Sequence, residues 1–247
     1  MIATAGKILT ESRLRAYFKC SQFYAFGGVE EADIATQMAQ KATEYYLSAK
    51  LRSPSKDNSY LLTKAVFHAA KKSQLKELYL AGQEQKFTNQ TVLWLDEFLT
   101  LFDPNVYYPV TGPLPWRSNV NKTPIDLHIS GIFRTKKNQT LHVLSFTPFK
   151  NKHAQVNDPV LHLKVKALQE FVKKNPNRPQ TIIHSLWATS TGSLGIDSID
   201  STKINTAYIK VIEQRVKQAE RAEYIPLVPC PHTCPFKNKC FIGEENE

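Results

Sequence analysis

Three of the chain's four cysteines stand within its last 18 residues, in Cys230-Pro-His-Thr-Cys234-Pro-Phe-Lys-Asn-Lys-Cys240, and the fourth is Cys20. Thiolates are soft donors that lose their protons on binding, so four of them suit a structural zinc ion or an iron–sulfur cluster. Gaps of three and then five residues let one short loop wrap a single centre. Pro229, Pro231 and Pro235 would hold that loop extended rather than helical. With Cys20 completing the set, the centre would staple the two ends of the chain together. His232 is a further donor that zinc would accept.

The charge of the chain sets a second expectation. A net charge of +10 over 247 residues favours polyanionic partners, nucleic acid above all. Apolar residues at 42% and only nine glycines exclude a disordered or fibrous chain, and the length suffices for a sizeable core. The opening residues show no basic region leading into an apolar run, and no stretch approaches the ~18 apolar residues a membrane span requires. The expectation is a soluble protein of the cytoplasm, or of another reducing compartment that holds nucleic acid. There, clustered cysteines bind metal more often than they pair. The sequence has no G-x-S-x-G, phosphate-binding loop, dinucleotide fingerprint or HExxH run.

The elements that must position these residues fall into two kinds. Thr10-Glu-Ser12 begins a helix over 10–26 with Leu14, Tyr17 and Phe18 at helical spacing, and this helix delivers Cys20. Further helices are predicted over 30–50, 59–81 and 88–102, the last with Val92, Leu95, Phe98, Leu99 and Phe102 inward. From Val106 the period changes. A strand is expected at Val106–Val110, a loop over 111–124, and a β-hairpin over 125–146 in which Ile125, Leu127 and Ile129 alternate with polar residues. A helix over 158–174, a strand over Ile182–Ala188 and a basic amphipathic helix over 204–222 complete the reading. The chain divides into a helical part (1–104), an α/β core (105–222) and the cysteine loop (223–247) packing back on the first helix, all in one compact unit.

This layout resembles the RecB-type nucleases of the PD-(D/E)XK superfamily, and most closely their iron–sulfur branch. Ser12-Arg-Leu14-Arg-Ala-Tyr17-Phe-Lys-Cys20 resembles that branch's N-terminal S-x-L-x-x-Y-x-x-C, and Pro229-Cys230 with the cysteines beyond resembles its closing cysteines. The branch's closing gaps are two and five residues, where this chain has three and five. The resemblance implies a restriction-endonuclease-like core, a small mixed sheet flanked by helices. It also implies a [4Fe–4S] cluster on Cys20, Cys230, Cys234 and Cys240, with zinc as the alternative.

In that family a hairpin supplies G-x-x-D on one strand and D/E-x-K on the next. The acids hold a divalent ion and the lysine polarises the attacking water. The matching residues here are Gly131-Ile-Phe-Arg134 and Ser145-Phe-Thr147. Arginine stands in place of the first acid, serine of the second and threonine of the lysine. The family's Q-x-x-x-Y matches His162 and Lys166, and Lys41 stands nearest to its upstream histidine. A cation cannot hold Mg²⁺, whereas Arg134, Lys166 and Lys41 in one groove would pair with phosphates directly.

The expectation is therefore a nuclease fold without the family's catalytic residues. It would bind DNA as a subunit of a replication, recombination or transcription assembly. Lys237 and Lys239 beside the cysteine loop would also contact DNA, and Trp116, expected in an exposed loop, would stack on a base. Two alternatives remain from the sequence. One is an active metal-dependent exonuclease with relocated ligands, drawn from Asp126, His128 and Asp158. The other is a protein–protein scaffold with a structural zinc site.

Overall fold

The computed structural model describes residues 8–20, 32–72, 82–148, 158–173, 180–200 and 206–221. In chain order these form β1 (Leu9–Thr10), α1 (Glu11–Lys19), α2 (Ile34–Arg52), α3 (Asn58–Lys72), α4 (Glu84–Leu101), β2 (Tyr107–Thr111), β3 (Leu114–Val120), β4 (Thr123–Ile129), β5 (Gly131–Thr135), β6 (Leu141–Phe146), α5 (Pro159–Lys173), β7 (Thr181–Ala188), β8 (Leu194–Asp200) and α6 (Thr206–Glu220). Among the described residues the fold is thus mixed α/β, with six helices and two mixed sheets.

The larger sheet runs β2-β5-β6-β7-β8, with β6 and β7 parallel and the other pairs antiparallel. Its central strands are buried on both faces, so they read as near-continuous apolar runs. Leu144, Phe146, Leu186 and Phe133 face a layer of α2, α3 and α4. Val143 and Ile183 face α5, where they meet Leu161, Val165 and Leu168. Helices α2 and α3 approach closely because their facing residues are small: Ala35, Ala39 and Ala42 against Ala65 and Ala69. The start of α2 is fixed by Asp33, whose side chain accepts from the Thr36 N–H at 2.8 Å.

The smaller sheet, β1-β4-β3, packs Leu9, Ile125, Leu127 and Val120 against α1, α5 and α6. Here the structure corrects the expected hairpin over 125–146. Residue Ser130 divides it: β4 pairs with β3 and β1, and only β5 pairs with β6. The segment expected to be a loop, 111–124, contains β3, joined to β4 by a two-residue turn. Asn121 and Lys122 both take positive φ there, 50° and 72°, matching the twist of a tight hairpin. Strand β8 was likewise not expected. Val92, predicted to face inward, is 43% exposed, and Trp94 takes the buried place on α4.

Candidate functional site

A cleft of about 790 Å³ opens between the start of α1, α2, the β3–β4 hairpin and the end of β6. Its charged lining consists of Glu11, Arg15, Lys41, Glu44, Arg117, Asp126 and Lys164, with His128 among them. Helical and strand periodicity place these groups. Glu11 and Arg15 are one turn apart on α1, and Asp126 and His128 point to one side of β4.

The floor of the cleft is a closed ion network. Lys164, 1% exposed, sends its Nζ to Glu11 Oε1 at 2.7 Å and donates to Ser145 Oγ at 2.9 Å. Arg15 reaches Asp158 through Nε at 3.3 Å and Nη2 at 3.0 Å, and Glu11 Oε2 through Nη1 at 3.4 Å. The His128 backbone N–H also donates to Glu11 Oε1. Asp158 precedes Pro159 at the start of α5, and its Oδ1 accepts from the Val160 N–H at 3.0 Å. Two carboxylates thus face two cations, and the four groups balance. Burial alone would push the Glu11 carboxyl up, but Lys164 and then Arg15 outweigh it and hold the group below the usual carboxylate range. Burial lowers the Lys164 ammonium from its ordinary value, and Glu11 opposes that shift.

A second cluster forms one wall. Glu44 Oε1 lies 2.7 Å from His128 Nε2 and accepts from Ser130 Oγ and Gln40 Nε2 at 2.8 Å each. Burial acts to raise the Glu44 pKa, but these partners, His128 foremost, bring it below the ordinary value. At the rim, Arg117 Nε donates to Asp126 Oδ1 at 3.0 Å, in a pair whose side chains are 66% and 39% exposed. Lys41 donates from Nζ to the Lys72 carbonyl at 2.8 Å.

The basic residues expected to share one groove are not brought together. Lys41 lines the cleft; Arg134 and Lys166 do not. Arg134 pairs in register with Leu141, four residues along β6 from Ser145, a separation of about 13 Å at strand rise. It donates to Gln139 Oε1 at 3.4 Å. Lys166 is ion-paired to Glu213 of α6. Trp116 is not in an exposed loop. It stands on β3 and packs against both clusters that flank α5. Asp126 and His128 do share the cleft, but Asp158 is buried against Arg15 rather than beside them.

Cys20 is buried at the C-terminal end of α1 and donates its backbone N–H to the Ala16 carbonyl at 2.9 Å. Cys230, Cys234, Cys240, Lys237 and Lys239 lie outside the described residues.

Sequence reasoning passed over Glu11, Arg15, Glu44 and Lys164. A usable signal existed for two of them. Glu11 and Arg15 are an i,i+4 acid–base pair inside the very segment that carries the N-terminal resemblance. Away from the cleft, His142 and His184 form a buried pair, Nδ1 to Nε2 at 2.8 Å, extended to Ser198 Oγ at 2.8 Å.

No known family's model matches this sequence, and no curated protein matches it. Among solved structures the chain is similar to a protein from Eubacterium rectale named provisionally as an exonuclease. The match has 13% identity and a TM-score of 0.42, and covers 97% of this chain and 88% of the other. Among the described residues, no helix is long and apolar enough to cross a membrane.

Proposed function

We propose that this chain binds DNA at the cleft and does not cut it by metal-dependent hydrolysis. The observation that carries the reading is Lys164. Its ammonium lies between Glu11 and Ser145, the residue that stands in place of the second acid in the resemblance. A divalent ion needs carboxylates whose charge is not already neutralised. Glu11 and Asp158 are committed to Lys164 and Arg15 in buried pairs. The net charge of +10 and the cations at the rim supply the attraction for phosphate.

The same reading makes the chain a subunit of a larger assembly that handles DNA. It carries a structural [4Fe–4S] cluster on Cys20, Cys230, Cys234 and Cys240, or zinc in its place. The buried seat of Cys20 at a helix end suits a ligand fixed from one side.

The test is DNA binding by fluorescence anisotropy over a salt series, with parallel incubation in Mg²⁺ and Mn²⁺. A steep fall of affinity with salt and intact DNA is expected; a flat response removes the reading. A second reading, an enzyme with relocated ligands, rests on Glu44, His128 and Asp126 sharing the cleft. Cleavage of DNA in that incubation would establish it instead.

A further inference from the structure

Helix α3 carries chemistry that the cleft does not use. Its 15 residues include Lys64, Lys71 and Lys72 and no carboxylate. Leu61, Ala65 and Ala69 face the core, which turns Tyr60, Lys64, Phe67 and Lys71 outward along one face. Phe67 is 67% exposed and Tyr60 49%. Lys56 and Lys64 hold their ammonium groups 5.1 Å and 5.6 Å from the centre of the Tyr60 ring. Aromatic rings interleaved with cations are the elements of a stacking platform for unpaired bases.

The stripe meets the cleft at its C-terminal end. Lys41, a lining residue of the cleft, binds the Lys72 carbonyl at 2.8 Å. Burial, followed by Lys72, Lys41 and Lys71, lowers the His68 pKa beside this junction. His68 itself stacks on Tyr45, with ring centroids 4.5 Å apart.

We infer that the outer face of α3 is a track for single-stranded DNA running into the cleft, with bases stacked on Tyr60 and Phe67 and phosphates on Lys56, Lys64 and Lys71. This rests on the DNA-binding reading and names its strandedness and path. Helical rise sets the two rings about 10 Å apart, about three steps at a stacking rise of ~3.4 Å. Duplex bases have their faces covered by neighbours and offer nothing to such rings. A second copy of a chain with net charge +10 would be repelled by a face whose charged residues are all lysines.

The test measures anisotropy of a labelled oligothymidylate and of a blunt duplex with the wild type, with Tyr60→Ala/Phe67→Ala, and with Lys64→Gln/Lys71→Gln. Tyr60→Leu/Phe67→Leu, which keeps apolar volume and removes the flat rings, guards against misfolding. Both ring variants should lose about 30-fold or more in single-strand affinity and change duplex affinity less than about threefold. The lysine variant should lower the salt slope by about 1.4. Unchanged single-strand affinity in the ring variants overturns the track and leaves the cleft reading standing. A wild type that binds no DNA overturns both. Dimerisation that the ring variants abolish, with DNA affinity unaltered, assigns the face to a second copy and also overturns the track.

Discussion

Replacing Lys164 by methionine separates charge from volume at the floor of the cleft. The stem keeps its apolar packing, while Glu11 loses the ammonium at 2.7 Å and Ser145 its donor at 2.9 Å. Removing one partner of a buried pair costs about 3–5 kcal/mol, because the other charge stays buried without compensation. Arg15 still reaches Glu11 at 3.4 Å, which puts the expected loss near the lower end, about 3 kcal/mol. With a urea slope of about 3 kcal/mol/M for a chain of this size, the midpoint should fall by about 1 M. The double variant Lys164→Met/Glu11→Gln removes the pair as a neutral unit and leaves Arg15 with Asp158. It should recover about 2 kcal/mol relative to the sum of the single losses. The sign with pH follows from Glu11, whose carboxyl is held below its ordinary 4.5 in the fold. Its stabilisation is present above pH 4.5 and lost as pH falls through the lower folded value, so wild type and Lys164→Met should converge in acid. A single-variant shift below about 0.3 M, or losses additive within about 0.5 kcal/mol, would refute Lys164 as the counter-ion of this site.

Four further outcomes are expected. Burial, then His142, pushes the His184 pKa from 6.5 down to about 3. The unfolded chain therefore takes up a proton that the fold refuses, and stability is full above pH 6.5 and lost progressively below it, by about 2 kcal/mol at pH 5. Urea midpoints at the two pH values measure this loss, which His184→Gln should reduce, leaving the part due to His142, whose pKa burial also lowers. Gly195→Ala should destabilise by about 1–3 kcal/mol, since its Cβ would meet the Trp187 ring at 2.1 Å; an unchanged melting temperature would show that the ring has room to move. Cys20→Ser should lower the iron or zinc per chain by elemental analysis, and unchanged content would remove Cys20 from the ligand set. Arg117→Gln should weaken DNA binding at the rim and reduce the salt slope by about one, with little change in the urea midpoint because the pair with Asp126 is exposed.

Periodicity exposed the long helices and the strands β6 and β7, because both are local patterns. It missed β3, where Pro115 and the exposed alternation of an edge strand read as loop. It also merged β4 with β5, since nothing in Ile129-Ser-Gly131 announces a change of sheet. Arg134 was placed in the groove by its match to the family's first acid, but the β5–β6 register sets it opposite Leu141, at the far end of β6 from Ser145. The cleft residues were harder still to read. Glu44 meets His128 across 84 positions of sequence, and Arg15 meets Asp158 across 143, so no spacing rule could join them. The pair Glu11 and Arg15 was legible but reads, on sequence alone, as an ordinary surface pair of a helix.

The division between floor and rim decides where phosphate can bind. Arg15 and Lys164 are nearly inaccessible and already hold carboxylates, so a phosphate drawn onto them would have to strip Glu11 or Asp158 of its partner inside the protein. That exchange carries the penalty of a broken buried pair. Arg117 faces no such barrier. Its partner Asp126 is solvent-exposed, and exposed pairs contribute little, so a phosphate can replace the carboxylate without loss of fold. Lys41 gives up only a hydrogen bond to the Lys72 carbonyl. On the proposed DNA-binding reading, the buried cations would serve only by keeping α1, β6 and α5 in place beneath the cleft, while the exposed ones would make the contacts.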